Sequence, residues 1–360
     1  MYEPSLFIPG PTEVFPDVRA QLARPVISHR GSEISKITFE IFENLKKVFR
    51  TKNDCFVATS SGTGVMEGAI RNLVKKRVLG TVCGYFSELQ WKVATKNGKP
   101  TDAYSVESGH EIDPSEVDRR LSTGAYDTLT VVHSETSTGV MNDVAAIAAV
   151  TRKYPDVFLI VDTVSSLAGA PVDVDAWGAD VVFASSQKCL ALPPGLAVFT
   201  VSPRAMKRAE TITDRGHYHD FLNYKKMGEK GQIPATCAVS LMYALQYQLQ
   251  RILAETLEAR FARHIEMATI VRSRISKHFD LFPKSRQMTP SESVFTNRPG
   301  VEVAKIVDSM KAKGKLFGNG YGDLKEKTFR IGHMGDLTVD HMLRFLDLFE
   351  ESLAELGYTR

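Results

Sequence analysis

Lys188 is the residue whose type and setting point most directly to chemistry. It lies in FASSQKCLALPPGLA, just after the apolar run DVVFASS and before Pro193, Pro194 and Gly195. Lysine is rarely buried without a partner or a purpose. Desolvation and nearby positive charge lower its pKa and free the amine for Schiff-base chemistry. A solvated loop lysine is the ordinary alternative at any single position. SSGTG, residues 60–64, stands between the run CFVAT and a helical pattern. Glycines let the backbone approach an anion, and a helix start offers free N–H groups and a favourable dipole, so a phosphate fits there. A plain Gly-rich strand-to-helix turn reads the same way. The segment does not match G-x-x-x-x-G-K-[ST], which argues against a nucleotide P-loop. Asp162 ends VFLIVD and precedes TVSS. A carboxylate there can hold a protonated heterocyclic nitrogen through a bond of about 1.5–3 kcal/mol, or it can cap a helix. Arg330, in TFRIGH, offers a fork that matches a carboxylate, as recognition of an amino acid or oxo acid requires. A surface ion pair is the commoner use of a strand arginine.

Elements must position these groups. The runs at 55–59, 128–135, 157–162, 180–186 and 196–202 are short and nearly continuously apolar. Such runs suit parallel strands covered by helices on both faces, and helical patterns at 35–49, 65–76 and 144–153 alternate with them. In an open parallel sheet, ligands bind at the C-terminal ends of the strands. Three of the four features fall there; Arg330 belongs to a strand in a smaller, later region. Pro9, Pro11 and Pro16 mark an irregular N-terminal segment. Beyond a Gly-, Lys- and His-rich stretch (214–232), one long helix is predicted from Ala238 to His278, with no Pro or Gly inside it. A smaller α+β region follows, with helices at 301–313 and 339–356 around the TFRIGH strand. The expected fold is α/β, a mostly parallel sheet between helices with a smaller C-terminal α+β domain. The expected division is an N-terminal segment 1–20, a large domain 21–240, and a long helix with the small domain, 241–360.

The composition narrows the classes. With 360 residues, two domains are the natural expectation at about 100–200 residues each. A net charge of +3 without any dense basic stripe points away from nucleic acid and membrane surfaces. Cys55, Cys83, Cys189 and Cys237 are widely spaced and form no CxxC pair, so no disulfide framework or zinc site is expected. The opening residues MYEPSLFIPGPTEVFP lack the basic start and apolar stretch of a secretory signal, and the apolar runs are too short to span a bilayer. The expectation is a soluble cytoplasmic protein. His217 and His219, in HYHDF, resemble a metal pair only weakly; a solvated loop or a gate to the substrate pocket is expected, and no metal.

Together, Asp162, Lys188 and Arg330 stand in the order found in fold-type I pyridoxal-phosphate enzymes. The sequence resembles the class V aminotransferases of the alanine/serine–glyoxylate (serine–pyruvate) group along nearly its whole length. The resemblance lies in IPGPTEVFP, SHRGSEI, SSGTGVMEG, HSETSTGV, VDTVSSLAG, SSQKCLALPPGLA and LKEKTFRIGHMGD. It implies that Lys188 carries pyridoxal 5′-phosphate as a Schiff base. Asp162 would pair with the pyridine nitrogen, with Val164 on one face of the ring and Phe86, in CGYFSE, on the other. Ser61, Gly62 and Thr63 would hold the phosphate with help from Gln187, and Thr138 would lie near the ring's phenolate oxygen. Arg330 would bind the substrate carboxylate in a pocket also lined by Gly10. Gln232 would reach the phosphate of a partner subunit in a homodimer with shared active sites. Relatives often read G-x-R after the stacking aromatic, where this chain reads Ser87-Glu88-Leu89.

The reaction implied is a ping-pong exchange between a small amino acid, alanine or serine, and a 2-oxo acid, glyoxylate or pyruvate. A 2-aminoethylphosphonate–pyruvate transaminase is the nearest rival, with His29, Arg30 or Arg215 to meet a phosphonate. Cysteine desulfuration would need a mobile nucleophilic cysteine, and Cys189 beside Lys188 is poorly placed for that. A non-transaminating cofactor-binding protein is a separate class.

Overall fold

Short runs rich in Val, Ile, Leu and Phe form the centre of the computed structural model, which describes residues 2–359. The strands are β1 (Asp54–Ala58), β2 (Val78–Val82), β3 (Thr101–Ser105), β4 (Thr128–Val132), the short pair β5 (Ser134–Glu135) and β6 (Val140–Met141), β7 (Phe158–Asp162), β8 (Val181–Ser185) and β9 (Ala197–Val201). Seven of them make one sheet in the order β1-β9-β8-β7-β4-β2-β3. β4, β7, β8 and β9 are buried at every position, which explains their continuous apolar sequences.

The pairings β2–β3, β2–β4, β4–β7 and β7–β8 are parallel. β9 departs from the sequence expectation, because it runs antiparallel to both β8 and β1. The cause is the connection 186–196, which contains no helix. A parallel return needs a crossover of about a dozen residues or more, usually a helix. The tight return leaves Lys188 in a loop at the end of β8.

The long helix predicted from Ala238 to His278 is two helices, Val239–Glu255 and Leu257–Ile275. Thr256 breaks it: its φ is 68°, and its hydroxyl accepts the Ala259 N–H at 3.2 Å as the N-cap of the second helix. Pro16, expected within an irregular segment, instead opens the helix Pro16–Leu22, where its fixed φ suits the first turn. Helices at Tyr85–Lys96, Pro114–Leu121 and Phe221–Gly228 were not expected either.

A second sheet of four antiparallel strands follows, in the order β10 (Asp280–Leu281), β11 (Glu292–Thr296), β13 (Thr328–Gly332) and β12 (Gly318–Asn319). Its apolar residues form a core separate from that of the large sheet. Phe329 is central, 4.9 Å from Phe279 and 5.3 Å from Phe295 between ring centroids. Aromatic pairs of this kind contribute about 0.5–1.5 kcal/mol beyond their buried area. Phe7 belongs to this second core: its N–H meets the Leu316 carbonyl at 2.7 Å and its carbonyl accepts from Gly332 N–H at 2.6 Å. The N-terminal segment thus docks on the C-terminal sheet and passes back toward Lys188. Behind it, Asp336 joins three elements by accepting from Gln248, Arg251 and Arg260.

Candidate active site

The Gly62–Leu73 helix begins with Ser61 as N-cap, whose side chain makes no capping bond; the Gly64 N–H meets the Ser61 carbonyl at 3.1 Å, and the Thr63 N–H is left at the helix start for a ligand. Gly62 is dictated by close approach. A Cβ there would lie 2.5 Å from Ser185 Oγ and 2.8 Å from Val164 Cγ2, and its N–H donates to Ser185 Oγ at 2.8 Å. Ser61, Gly62 and Thr63 edge a small cleft of about 110 Å³. Phe86, Asp162, Val164, Gln187 and Lys188 border the same cleft.

Asp162 ends β7 with its carboxylate buried, and Oδ1 accepts the Val164 N–H at 2.7 Å. Burial pushes its pKa up to about 7; Glu135 adds to the rise, while the Val164 N–H and Lys188 oppose it. Lys188 is buried as well, and burial drives its pKa down, helped by Arg330 and opposed chiefly by Glu292. Its Nζ donates to the Pro9 carbonyl and lies 5.9 Å from the centre of the Phe86 ring. A carboxyl that resists ionising and an amine that sheds its proton easily therefore share one dry cleft. Perturbed pairs of this kind mark catalytic sites.

Arg330 projects from β13, donates from Nε to the Asn319 carbonyl at 3.1 Å, and lies 5.2 Å from the Tyr321 ring centre. It forms no ion pair among the described residues, so the outer edge of its fork is available to a ligand carboxylate. Gly10 packs directly on the Lys188 side chain.

Two of the residues singled out from the sequence lie elsewhere. Thr138 is buried beside the cleft and lines an adjoining cavity with Tyr85 and Tyr321; Ser134 and Thr136 line the main cleft instead. Gln232 is bonded to Arg30 on its own chain, at 3.2 Å and 3.3 Å, away from the cleft lining. Leu89 turns an alkyl group into the cleft. His217 is exposed, and His219 lies on the Gly62–Leu73 helix with Nε2 3.4 Å from Ser60 Oγ. No cluster suited to a metal occurs among the described residues.

Sequence reasoning missed Glu135, although it lies within the HSETSTGV segment. Its buried carboxylate accepts from the N–H groups of Phe86 and Ser87 and from the Ser87 and Ser137 hydroxyls, fixing the start of the helix that carries Phe86. It also missed Glu292 and Tyr321, which sit in segments without distinctive spacing.

The family described as Aminotransferase class-V matches residues 12–310. This chain is a class V aminotransferase. It is 40% identical over 362 residues to an uncharacterised aminotransferase of Methanocaldococcus jannaschii, covering 98% of this chain and 93% of that protein. It is 32% identical to a serine–glyoxylate aminotransferase of Methylorubrum extorquens, covering 98% and 91%. Among solved structures, an alanine–glyoxylate aminotransferase from Nostoc sp. superposes with a TM-score of 0.93 at 27% identity, over 98% of this chain and 96% of that one. The aminotransferase belongs to the alanine/serine–glyoxylate group, has the fold-type I architecture, and uses pyridoxal 5′-phosphate.

Its residues fit that cofactor. The open helix start at Gly62 suits the phosphate, the buried Asp162 carboxylate suits a cationic ring nitrogen, and Lys188 supplies the amine. Cys189 does not suit nucleophilic work in this aminotransferase. Its Sγ bonds to the Ser165 carbonyl at 3.4 Å, and burial pushes the thiol up to about 12. Two of the three cations considered for a phosphonate are engaged as well: Arg215 pairs with Asp220, and Arg30 donates to Gln232, Ile233 and Pro234. No helix among the described residues is long and apolar enough to cross a membrane.

Proposed function

We propose that this aminotransferase exchanges an amino group between a small amino acid, alanine or serine, and a 2-oxo acid, glyoxylate or pyruvate, in two ping-pong half-reactions. The observation that carries the reading is the buried amine of Lys188 sharing one cleft with Asp162, with Arg330 unpaired nearby. The names of the serine–glyoxylate and alanine–glyoxylate relatives support the substrates.

When bound, pyridoxal phosphate delocalises the electron pair left at the substrate Cα. Lys188 would hold the cofactor through its amine, and its free Nζ would accept the Cα proton, a role that its lowered pKa favours. Asp162 would keep the ring nitrogen protonated, and Val164 and Phe86 would pack against the ring. Ser61, Gly62, Thr63 and Gln187 would hold the phosphate, and Thr138 would serve the phenolate oxygen. Arg330 orients the substrate carboxylate over the cleft, with Gly10 completing the pocket.

The working unit we propose is a homodimer in which Gln232 reaches the partner's phosphate. Arg30 ties residues 232–234 into one surface unit off its own cleft, and Val26 and Phe39 nearby are exposed apolar side chains. The division into 1–20, 21–240 and 241–360 is our reading; the two separate cores support a large and a small unit, although residues 242–261 pack into the first core and Phe7 into the second, with residues 1 and 360 outside the described residues. Four buried free cysteines support a cytoplasmic setting.

Replacing Lys188 with alanine is expected to abolish both the absorbance of lysine-linked cofactor and amino-group exchange. Full turnover by that variant would overturn the assignment. A panel of amino donors and oxo acids tests the substrates, and activity restricted to 2-aminoethylphosphonate would overturn the alanine/serine reading.

A further inference from the structure

Glu292 is a fully buried carboxylate that none of these roles employs. It opens β11 opposite Gly332, while Arg330 stands opposite Val294. Glu292 and Arg330 are therefore diagonal neighbours on one face of the smaller sheet, within reach of each other's long side chains. That face meets the N-terminal segment. A Cβ on Gly332 would lie 2.3 Å from the Ile8 carbonyl oxygen, and the next carbonyl, of Pro9, receives Lys188 Nζ.

One oxygen of Glu292 is tethered to the cleft wall. Ser134 Oγ, which lines the cleft, donates to Thr289 Oγ1 at 2.6 Å. Thr289 shares a bond with Ser291 Oγ at 2.9 Å, and Ser291 Oγ donates to Glu292 Oε2 at 2.7 Å. The other oxygen, Oε1, is buried without a hydrogen-bond partner. Leaving such an acceptor unmet costs about 1–3 kcal/mol, and more when it is charged. An orphan of this kind in a native site asks for a partner, either an ordered water or a donor that arrives during function.

The nearest candidates are cations. Burial raises the pKa of Glu292 above its usual value and Glu135 adds to the rise, while Lys188, the Ser291 hydroxyl and then Arg330 oppose it and favour the charge. Glu292 is the foremost group favouring the charge of Lys188, ahead of Cys189 and Asp162, while burial and Arg330 oppose it. Arg272, from the Leu257–Ile275 helix, also faces Glu292. Glu292 forms no ion pair under 4.0 Å among the described residues, so the lysine does not yet occupy this oxygen.

We infer that Glu292 is a positioning residue for Lys188: its Oε1 receives an N–H of the lysine amine once that amine has left the Pro9 carbonyl and taken up the substrate's proton, and so holds that proton. The inference rests on Lys188 being the cofactor lysine. It gives the site a counter-charge on the Arg330 side, distinct from Asp162.

The test uses the full chain freed of cofactor. Lys188 is acylated competitively with acetic anhydride across pH, and its labelling is read by mass spectrometry. Glu292→Gln keeps the shape but removes the charge. It is expected to lower the pH midpoint of Lys188 reactivity by about one unit, roughly tenfold in reactivity at fixed pH, whereas Glu292→Asp restores most of the shift. An unchanged midpoint in folded Glu292→Gln protein overturns the proposal. If that variant does not fold, Ser291→Ala, which removes the bond that helps Glu292 ionise, must move the midpoint the same way, and no movement overturns it. Lysine-linked absorbance surviving in Lys188→Ala would instead refute the cofactor assignment and leave this titration untouched.

Discussion

Gly10 lies flat against the side chain of Lys188: a Cβ at position 10 would fall 2.7 Å from Lys188 Cδ and 3.0 Å from Nζ. Its φ of 107° is also one that a side chain disfavours. Gly10→Ala should therefore displace the lysine and strain the segment by about 1–3 kcal/mol. The expected result is a sharp fall in lysine-linked absorbance per subunit and in kcat, with the protein still folded by circular dichroism. Normal loading with cofactor would show that the lysine does not work from this position.

Arg330 has its inner nitrogen on the Asn319 carbonyl and its outer edge unpaired. Two charge-assisted bonds to a substrate carboxylate contribute about 1.5–3 kcal/mol each, and each 1.4 kcal/mol is about tenfold. Arg330→Ala is expected to lower kcat/KM for alanine and serine by at least about a hundredfold, while the cofactor absorbance stays. A donor lacking the α-carboxylate should lose far less. Equal losses for both kinds of donor would remove Arg330 from substrate recognition.

The chemistry was legible where it depends on residue type at the end of an apolar run. Asp162 and Lys188 could be placed because β7 and β8 announce themselves as continuous hydrophobic segments, and SSGTG because a strand and a helix bracket it. Direction and interruption were less visible. Nothing in LAVFTVS distinguishes a parallel from an antiparallel strand; only the short helix-free connection decides it. Thr256 ends a helix within an unbroken helical pattern because a hydroxyl can cap from a backbone conformation that composition does not reveal. Glu292 was invisible for a different reason: its meaning comes from register against β13, a long-range pairing that leaves no local signature.

Asp336 and Arg260 form a buried ion pair at 2.9 Å, with Arg251 and Gln248 on the same carboxylate. Burial opposes the charge of Asp336, but Arg260 and Arg251 outweigh it and hold its pKa below the usual value. Removing a member of such a pair costs about 3–5 kcal/mol when its partner is left unpaired, and without Asp336 the buried Arg260 keeps only Glu255, at 2.8 Å. Asp336→Ala should lower the unfolding free energy of the cofactor-free protein by up to that amount, read as a lower urea midpoint with the slope of the transition unchanged. A loss under about 1 kcal/mol would show that Glu255 and solvent suffice for Arg260.

Asp162 predicts how the stability of the cofactor-free protein varies with pH. Its carboxyl is pushed up to about 7 by burial, against 3.8 in a free chain. The folded state therefore prefers the protonated acid, and folding retains a proton that the unfolded chain releases. Its contribution is fully present below about pH 4 and is lost as pH rises toward 7; at 1.36 kcal/mol per unit, the loss is up to roughly 4 kcal/mol. Urea unfolding of wild type and Asp162→Asn across this range isolates the term, because asparagine cannot titrate. The wild-type curve should fall relative to the variant between about pH 4 and 7. Loading with cofactor should flatten the difference, since a protonated ring nitrogen favours the carboxylate. Parallel curves for the two proteins would mean that Asp162 ionises freely without its partner.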